Sequence, residues 1–465
     1  TVEYLLPSYV ALALLLGYGL GLALRRPALE PGRALADGGL AADVAATANK
    51  RGSAHPARWL QAAAHAFPVA VTVAVLLAAV WQGVDEVIVA PVYAASEAPR
   101  EGGTAWDLYA GIRRAGRVRA LCAASLEAVW PYLRTALRPG DGLLVAGAGD
   151  VDRIARQARA ALVGGGAAGL DPADAWAAEL EARPWAATRL RRRAPLAGYT
   201  TLRVGGAADM LAEVGAESDL VRLIQWARAR GVPVTILGAG SNVLASDLGV
   251  RGLVIRLEGD FRRMRIDGRA LRATAGAGAP LAALVQQAAA AGGAGLEFLA
   301  GIPGTVGGAL RMNAGAWGQA IGDRTDWVRC LRPDGTEAVI PGAELGFEYR
   351  GCPGLRGTVV VEASFRLEPA APDAVRDRVR ALLAQRAWLD GQPTAGSVFR
   401  NPPGQSAGRL LEEAGQKGRR VGGARVLEAH ANVIAAGPGA AASDVRAPAA
   451  HRAAMVERLG LTARG

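Results

Sequence analysis

The sequence predicts an α/β unit in the first third of the chain and an α+β architecture after it. Segments typical of strands and helices alternate between residues 85 and 163, as in parallel α/β domains. From Tyr199 onward, glycine turns separate short strand-like segments. Residues 297–323 contain seven glycines between Gly301 and Gly322. The apolar residues among these glycines require packing, unlike a polar, flexible linker. The length of 465 residues suffices for about three domains.

Three predicted strands, each followed by a predicted helix, define the α/β unit. The strands are residues 85–94, 120–123 and 142–149, and the helices are residues 104–116, 125–137 and 151–163. The alternation ends near residue 165. Residues 164–195, which contain Gly, Ala and Pro, are therefore predicted to be a linker.

Residues 5–24 allow two interpretations. They are apolar over a length that would span a membrane, and Arg25 and Arg26 follow directly. No basic segment precedes them and no clear cleavage site follows, unlike a signal peptide. The alternative is a buried, alanine-rich helix of a soluble domain. We favour this helix because of a resemblance described below, and we expect no membrane partner.

The α+β region has its own set of predicted elements. The strands are residues 201–204, 234–238 and 253–257, with a hairpin at residues 264–275 and helices at residues 218–230 and 280–291. A second change of pattern comes near residue 370. Beyond it we expect helices at residues 373–387 and 406–415 and a strand near residues 430–435.

Composition excludes several classes of function. The net charge is +11, but only Lys50 and Lys417 among the 53 basic residues are lysines, and the arginines are dispersed. A nucleic-acid interface would cluster them with aromatic residues, so no nucleic-acid partner is expected. Three distant cysteines indicate a reducing, cytoplasmic compartment without disulfides. The four histidines form no ligand cluster, and no metal is expected.

Two glycine-rich segments indicate binding of a phosphate-containing ligand. Residues 236–242 (Ile-Leu-Gly-Ala-Gly-Ser-Asn), here called the first glycine loop, follow a predicted strand. Residues 297–323, the second glycine loop, should not form an ordinary helix or strand. Backbone N–H groups that glycine leaves accessible can contact a pyrophosphate, and two such loops can enclose one dinucleotide. A single Gly-x-Gly is usually an ordinary turn.

Six motifs in order, across residues 196–459, resemble the UDP-N-acetylenolpyruvoylglucosamine reductase family, in its compact subclass. They are residues 199–209, the two glycine loops, Phe-Glu-Tyr-Arg at 347–350, Ala-Gly-Ser-Val-Phe-Arg-Asn-Pro at 395–402, and residues 407–424 with 428–432. The resemblance implies FAD in an α+β fold of the vanillyl-alcohol-oxidase type, followed by an α+β substrate domain. A Rossmann fingerprint is absent. The implied cofactor-binding residues are Gly238, Gly240, Ser241, Asn242, Gly301, Pro303, Gly304, Thr305, Gly307, Gly308, Asn313 and Gly315.

The resemblance also implies a reaction: NADPH reduces the flavin, which then passes hydride to the enolpyruvyl ether of a UDP-sugar. Arg350 matches the arginine that stabilises the developing negative charge, and Ser397 matches the proton donor. Arg400 and Asn401, in the same loop as Ser397, are candidates for the nucleotide part of the substrate. Taken singly, Arg350 would be interpreted as a surface arginine and Ser397 as a turn serine.

One catalytic residue of the family, a C-terminal glutamate in a Leu-Glu-Pro-Glu-type strand, has no counterpart in residues 456–465, and Glu457 is no obvious substitute. Gly351 and Cys352 also depart from the family's usual polar residue and serine. FAD binding is therefore expected more firmly than turnover, and the alternative is a non-catalytic flavoprotein or scaffold.

The N-terminal part resembles the C-terminal domain of UDP-N-acetylmuramate–L-alanine ligase at residues 87–97 and 143–150, and residues 9–23 resemble an alanine-rich helix of its ATP domain. No phosphate-binding loop precedes residue 50, so a remnant that cannot bind ATP is expected. A functional link to the ligase step follows, because the two enzymes act consecutively. The predicted organisation is a ligase remnant (1–57), a ligase-like domain (58–165), a linker (166–195), an FAD-binding domain (196–369) and a substrate domain (370–465).

Overall fold

The computed structural model describes residues 20–26, 85–91, 105–115, 118–137, 141–146, 152–163 and 172–451. Residues 5–19 and 452–465, which include part of the N-terminal apolar segment and Glu457, lie outside this range. Among the described residues, no helix is both long and apolar enough to cross a lipid bilayer.

The N-terminal unit contains a four-stranded sheet in the order β3-β2-β1-β4. Its elements are β1 (Leu20–Arg26), β2 (Glu86–Pro91), α1 (Ala105–Ala115), β3 (Arg119–Cys122), α2 (Val129–Ala136), β4 (Gly142–Ala146) and α3 (Asp152–Val163). The helices and strands predicted between residues 85 and 163 agree with these elements. The three predicted strands, β2, β3 and β4, run in the same direction, as expected for a parallel α/β unit. The sheet is nevertheless mixed, because the additional strand β1 runs antiparallel to its neighbours β2 and β4.

The strand β1 also corrects the helix expected over residues 5–24. Its leucines at 20, 22 and 24 alternate with small residues, which is the two-residue period of a strand. The helical interpretation is therefore wrong over residues 20–24.

Residues 172–369, which include the FAD-binding unit predicted for residues 196–369, contain two larger sheets, β5-β6-β8-β7 and β15-β14-β16-β10-β9. In the first, β6, β8 and β7 are parallel and β5 is antiparallel. Its elements are α4 (Pro172–Glu181), β5 (Thr188–Pro195), β6 (Ala207–Val214), α5 (Glu217–Ala229), β7 (Val234–Ile236), β8 (Val250–Leu257), β9 (Met264–Asp267), β10 (Arg272–Gly276), α6 (Leu281–Ala290), β11 (Gly293–Ala294), α7 (Val306–Arg311), β12 (Gly315–Ala316), β13 (Gln319–Ala320), α8 (Ile321–Arg324), β14 (Thr325–Leu331), β15 (Glu337–Pro341), β16 (Val359–Arg366) and β17 (Glu368–Pro369). The antiparallel β9–β10 hairpin confirms the prediction for residues 264–275.

Two predictions are wrong in this unit. Residues 172–195 are not a linker: Ala177 and Leu180 of α4 are fully buried in the main apolar core, and β5 pairs with β6. Residues 201–204 form a turn instead of a strand. Arg203 adopts a left-handed φ of 56°, and the Thr200 hydroxyl donates to the Val204 carbonyl over 3.2 Å.

The C-terminal part contains an antiparallel sheet in the order β18-β21-β20-β19. Its elements are α9 (Pro372–Ala384), β18 (Thr394–Ser397), α10 (Ala407–Glu413), β19 (Arg420–Val421), β20 (Ala424–Val426), β21 (Val433–Ala436) and α11 (Ala442–His451). The predicted helices and the strand near residues 430–435 agree with α9, α10 and β21. The sheet packs with Leu202 and Val204 in one apolar cluster. These two residues belong to the turn whose Thr201 N–H contacts the first glycine loop at Gly240.

Candidate active site

The two glycine loops, far apart in sequence, contact each other. The Ser241 hydroxyl of the first glycine loop donates to the Pro303 carbonyl of the second over 2.6 Å. A Cβ atom added to Gly238 would lie 2.6 Å from Oγ1 of Thr305. Because this distance is shorter than real Cβ contacts, the close approach of the loops requires glycine at this position.

Gly240 turns the first glycine loop against the backbone of residues 199–200. Its φ is 65°, and an added Cβ would lie 2.2 Å from the Tyr199 carbonyl oxygen. The Gly240 carbonyl accepts the Thr201 N–H over 3.2 Å. The Thr201 hydroxyl in turn donates to the Thr394 carbonyl over 2.7 Å. Thr201 therefore connects the first glycine loop to β18, the strand that carries Ser397.

The second glycine loop contains a short helix, α7, so the prediction that this stretch forms no helix is wrong. Thr305 precedes α7, and its side-chain oxygen accepts the Gly308 N–H over 3.4 Å. An added Cβ on Gly307 would lie 2.9 Å from the Cβ of Ala277. The glycines that disfavour a helix locally thus allow this one to pack closely against the chain after β10.

A cavity of about 480 Å³ lies between the two glycine loops, within the usual range for small-molecule sites. Five predicted cofactor residues line it: Gly238, Gly304, Thr305, Gly307 and Gly308. The other predicted cofactor residues do not line this cavity: Gly240, Ser241, Asn242, Gly301, Pro303, Asn313 and Gly315. Asn242 is exposed beside Ser241.

The cavity fits a dinucleotide with phosphate groups. Within the described part of the chain, the N–H groups of Gly238, Ala239 and Gly240 donate to no carbonyl. Such free N–H groups are suited to phosphate oxygens. Gly238, Ala239 and Thr305, which line the cavity, could thus contact the pyrophosphate of FAD.

Three arginines on the cavity wall, Arg256, Arg262 and Arg311, were not predicted from the sequence. The Arg256 guanidinium lies 5.0 Å from the centre of the Tyr199 ring. Its Nε is buried and has no hydrogen-bond partner among the described residues. A strand arginine between buried neighbours carries no spacing signal, so only the cavity reveals it.

Asn313 supports the loop that carries Arg350, and Gly315 lies in an adjacent hairpin. The Asn313 amide nitrogen donates to the Glu348 carbonyl over 3.0 Å, and its amide oxygen accepts the Gly322 N–H over 3.0 Å. Gly315 pairs with Ala320 in the β12–β13 hairpin. In the structure Asn313 therefore contacts the turn that carries Arg350, and Gly315 lies in the hairpin that follows Asn313.

Arg350 and Arg386 form a pair of neighbouring cations. The Nε atoms of both are buried and have no hydrogen-bond partner in the described chain. Burial and the charge of Arg350 lower the pKa of Arg386. The Arg386 guanidinium lies 5.5 Å from the Trp317 ring centre, and an added Cβ on Gly301 would lie 2.9 Å from the Arg386 Cδ. Two cations with unused donors favour an anion. The sequence identified Arg350 but not Arg386.

Arg350 itself has a strained backbone. Its φ is 63°, in the left-handed region that a non-glycine residue adopts at a cost of about 1–3 kcal/mol. The residue lies in the turn between Glu348 and Gly351, whose backbones bridge each other. Strained conformations of this kind concentrate at binding and catalytic sites.

Asn432 fixes the segment that follows Ser397. Ser397 ends β18 and pairs with Val433 of β21. The buried Asn432 side chain accepts the Phe399 N–H over 2.8 Å and donates to the Phe399 carbonyl over 3.0 Å. Arg400 follows, and its Nε is buried without a partner among the described residues.

Asn401, predicted to bind the nucleotide part of the substrate, forms one hydrogen bond within its own loop. Its amide oxygen accepts the Ala407 N–H over 3.1 Å, so this group closes the loop onto α10. Ser397 donates or accepts no side-chain hydrogen bond within the described residues. The hydroxyl is half-buried and is available to a ligand.

Comparison with known proteins agrees with this geometry. Residues 208–340 match a family model described as an FAD binding domain, which supports the predicted FAD-binding fold and cofactor. Residues 389–460 match the model of the UDP-N-acetylenolpyruvoylglucosamine reductase C-terminal domain. Both matches begin after residue 207, and the ligase resemblance of the N-terminal part stays a prediction.

Similar proteins span most of the reductase part of the chain. UDP-N-acetylenolpyruvoylglucosamine reductase 2 of Symbiobacterium thermophilum is 47% identical over 251 residues, 53% of this chain and 80% of that protein. The reductase of Moorella thermoacetica is 45% identical over 257 residues, covering 54% and 83% of the two chains. The crystal structure of the Thermus caldophilus reductase has a TM-score of 0.53 and 38% identity, covering 59% of this chain and 97% of its own. The chain therefore belongs to the UDP-N-acetylenolpyruvoylglucosamine reductase family.

Proposed function

We propose that this protein uses NADPH to reduce UDP-N-acetylenolpyruvoylglucosamine to UDP-N-acetylmuramate, a step in the synthesis of peptidoglycan precursors. The observation that carries the proposal is the convergence of both glycine loops on one cavity. Two cations near the second glycine loop, Arg350 and Arg386, support it. Bound FAD supplies the chemistry of accepting hydride from NADPH and passing it to the vinyl carbon of the substrate.

The role we assign to Arg350 is to hold the carboxylate of the enolpyruvyl group. Negative charge moves towards this carboxylate as the double bond is reduced, and a preformed cation stabilises that charge most strongly in the transition state. A guanidinium is suited to a carboxylate because its planar fork donates two parallel hydrogen bonds. The buried, unpaired Nε of Arg350 is consistent with a donor reserved for the substrate.

Arg386 is a second candidate for binding the same anion. Its side chain lies beside Gly301 and Trp317, and its pKa is lowered by burial and by Arg350. An anion bound near the two arginines would offset their mutual repulsion. We therefore assign Arg386 to substrate binding together with Arg350.

Ser397 is our candidate for the proton donor to the carbon next to the carboxylate. A serine hydroxyl is a weak acid, so it needs a fixed position and a growing negative charge on the acceptor. β18 fixes it on one side through Val433, and Asn432 holds the next residues on the other. Arg400, whose Nε is also buried and unpaired, is the candidate in this loop for the nucleotide phosphates.

For the N-terminal unit we propose descent from the alanine ligase without ATP binding. The support is the sequence resemblance and the absence of a phosphate-binding loop before residue 50. Isothermal titration of the purified chain with Mg-ATP should give no binding heat. Saturable binding would contradict the proposal.

Two measurements on the purified protein test the reductase function. The visible absorbance of oxidised flavin reports FAD, and NADPH oxidation that requires the enolpyruvyl nucleotide reports turnover. A protein that binds FAD but oxidises no NADPH with this substrate would be the non-catalytic flavoprotein of the alternative hypothesis. A protein without flavin after reconstitution would contradict both.

Measuring the two half-reactions separately tests the roles assigned to Ser397 and Arg350. Ser397→Ala should leave flavin reduction by NADPH unchanged and slow reoxidation by the enolpyruvyl nucleotide by about 10²–10⁴-fold, the usual contribution of a positioned acid. Arg350→Met should slow the same half-reaction by about 10²–10³-fold. Arg356→Met is the matched control, because Arg356 is exposed six residues further along. Equal losses in both half-reactions would indicate a structural role instead.

A further inference from the structure

The N-terminal unit is joined to the C-terminal helix α11 through a buried carboxylate. Asp444, in the first turn of α11, is fully buried. The Tyr109 hydroxyl of α1 donates to it over 2.7 Å, and Arg113 donates through two nitrogens over 3.1 and 2.8 Å. The N–H groups of Ala441 and Gly423 complete its hydrogen bonding, each at 3.0 Å. One carboxylate thus joins α1 to the C-terminal sheet.

A serine hydroxyl makes a second connection between the same parts. The Ser443 hydroxyl donates to the Asp247 carboxylate over 2.6 Å and accepts the Cys122 N–H over 3.1 Å. The Asp247 carboxylate also accepts the N–H groups of Ala442 and Ser443 at 2.6 and 2.7 Å. Asp247 follows the first glycine loop by five residues. β3, α11 and the segment after the loop therefore meet at Ser443.

Apolar contacts also join the N-terminal unit to the segment after the first glycine loop. Leu248 is 4% exposed and belongs to the core of the N-terminal unit, with Ile88, Leu121 and Leu133 among its neighbours in that cluster. Arg251 donates to the Thr135 hydroxyl over 3.0 Å. The segment 247–251 thus inserts a leucine into the N-terminal unit and forms polar contacts on either side of it.

We propose that the N-terminal unit is an intramolecular brace: it docks on residues 247–251 and on the first turn of α11, and this docking holds the first glycine loop for FAD. The loop is fixed at its start by β7, which pairs with β8. Beyond its end, Ala245 is buried and the Ser246 carbonyl accepts the Gly206 N–H over 2.8 Å. Asp247, held by α11, and Leu248, held by the N-terminal unit, follow directly. Loss of docking would remove the support at Leu248 and loosen that end of the loop. The brace adds a role for this unit that the reductase reaction does not require.

Docking and FAD binding should then stabilise each other, since coupling of two binding equilibria is reciprocal. Removing Arg113 leaves the buried Asp444 with fewer donors. A hydrogen bond to a charged group is worth enough to weaken docking about 10- to 100-fold. Leu248→Ala opens a cavity in the N-terminal core and should weaken docking by at least a similar factor. In the double variant, Arg113→Met with Leu248→Ala, the N-terminal unit should be undocked in most molecules.

Hydrogen–deuterium exchange on the full chain, with FAD bound, tests the docking. Arg113→Met and Leu248→Ala should each speed exchange in two separate peptides, residues 105–115 and 441–446. Arg114→Met is the matched control because Arg114 is exposed on the same helix. Unchanged exchange at residues 441–446 in both variants would overturn the docking.

Titration of the apoproteins with FAD tests the brace. The double variant should bind FAD at least about tenfold more weakly than the control, in proportion to its undocked fraction. Faster exchange with an unchanged FAD Kd would overturn the brace and leave only a docked domain. Both readouts compare variants with the parent chain and need no turnover, so failure of the brace and failure of the proposed reductase function are distinguishable.

Discussion

The requirement for glycine at position 240 gives the sharpest test of the cofactor site. In Gly240→Ala the new Cβ would lie 2.2 Å from the Tyr199 carbonyl oxygen and 2.7 Å from the Thr200 Cα. Both atoms belong to the backbone, so no rotation of a side chain can relieve the overlap. The φ of 65° adds strain that only glycine avoids.

The expected loss of FAD affinity in Gly240→Ala follows from the backbone strain and the steric overlap. A non-glycine residue in the left-handed region costs about 1 kcal/mol at the lower end. Overpacking against a fixed neighbour costs about 1–3 kcal/mol. If the loop escapes this cost of about 2–4 kcal/mol by leaving the FAD-binding conformation, the Kd for FAD rises between about 30-fold and 10³-fold.

Titration of the apoprotein with FAD, followed by quenching of flavin fluorescence, measures this Kd. Gly198→Ala is the matched control, since no heavy atom lies within 4 Å of its added Cβ. The thermal midpoint of each apoprotein should be recorded as well, because strain that remains in the folded state appears there. The reasoning is refuted if Gly240→Ala matches the control in both FAD affinity and thermal midpoint.

Three further predictions concern the C-terminal part. Arg386→Met should raise the KM for the enolpyruvyl nucleotide about 10- to 100-fold, because a hydrogen bond to a charged group is lost. Arg380→Met, at an exposed position on α9, should leave this KM unchanged. Steady-state kinetics measure both values, and equal KM values in the two variants would refute the assignment. Burial lowers the pKa of His430, so the unfolded chain takes up this proton more readily and stability should fall as the pH drops below about 6.5. Thermal midpoints between about pH 7 and pH 5 should show this fall, and His430→Gln should flatten it; an unchanged slope would contradict the prediction. Asn432→Ala should lower the free energy of unfolding by about 2–4 kcal/mol, because it leaves the buried N–H and C=O of Phe399 unpaired. Urea unfolding measures this loss, and Asn432→Asp should be intermediate in stability between the parent protein and Asn432→Ala. If Asn432→Ala loses no more stability than Asn432→Asp, the role assigned to Asn432 is wrong.

Local patterns determined most of the elements and the identity of the cofactor site. Apolar periodicity located α1, α5, α6 and β8 within a few residues, because each element buries one face and its period is visible in the chain. Glycines with polar neighbours marked both glycine loops. Ordered motifs identified the family and FAD, and singled out Arg350 and Ser397 as candidates, without any distances.

Only the tertiary structure decided features that depend on distant partners. Residues 172–195 appear linker-like in composition, yet β5 is stabilised by pairing with β6 and α4 by the main core. The glycines of α7 disfavour a helix until close packing against Ala277 requires them. Arg256 and Arg386 are two among many arginines in the sequence, and they become distinctive through burial and unpaired nitrogens.

The same holds for the junction of the N-terminal unit with the reductase. Tyr109, Arg113 and Leu248 carry no motif, and Asp444 lies more than 300 residues from Tyr109. The sequence by itself determined which cofactor the chain binds and which family it belongs to, because glycine conformations and catalytic side chains are local requirements. The tertiary structure alone decided which side chains line the cavity and which residues contact the first glycine loop, because burial and charge pairing exist only between segments that folding brings together.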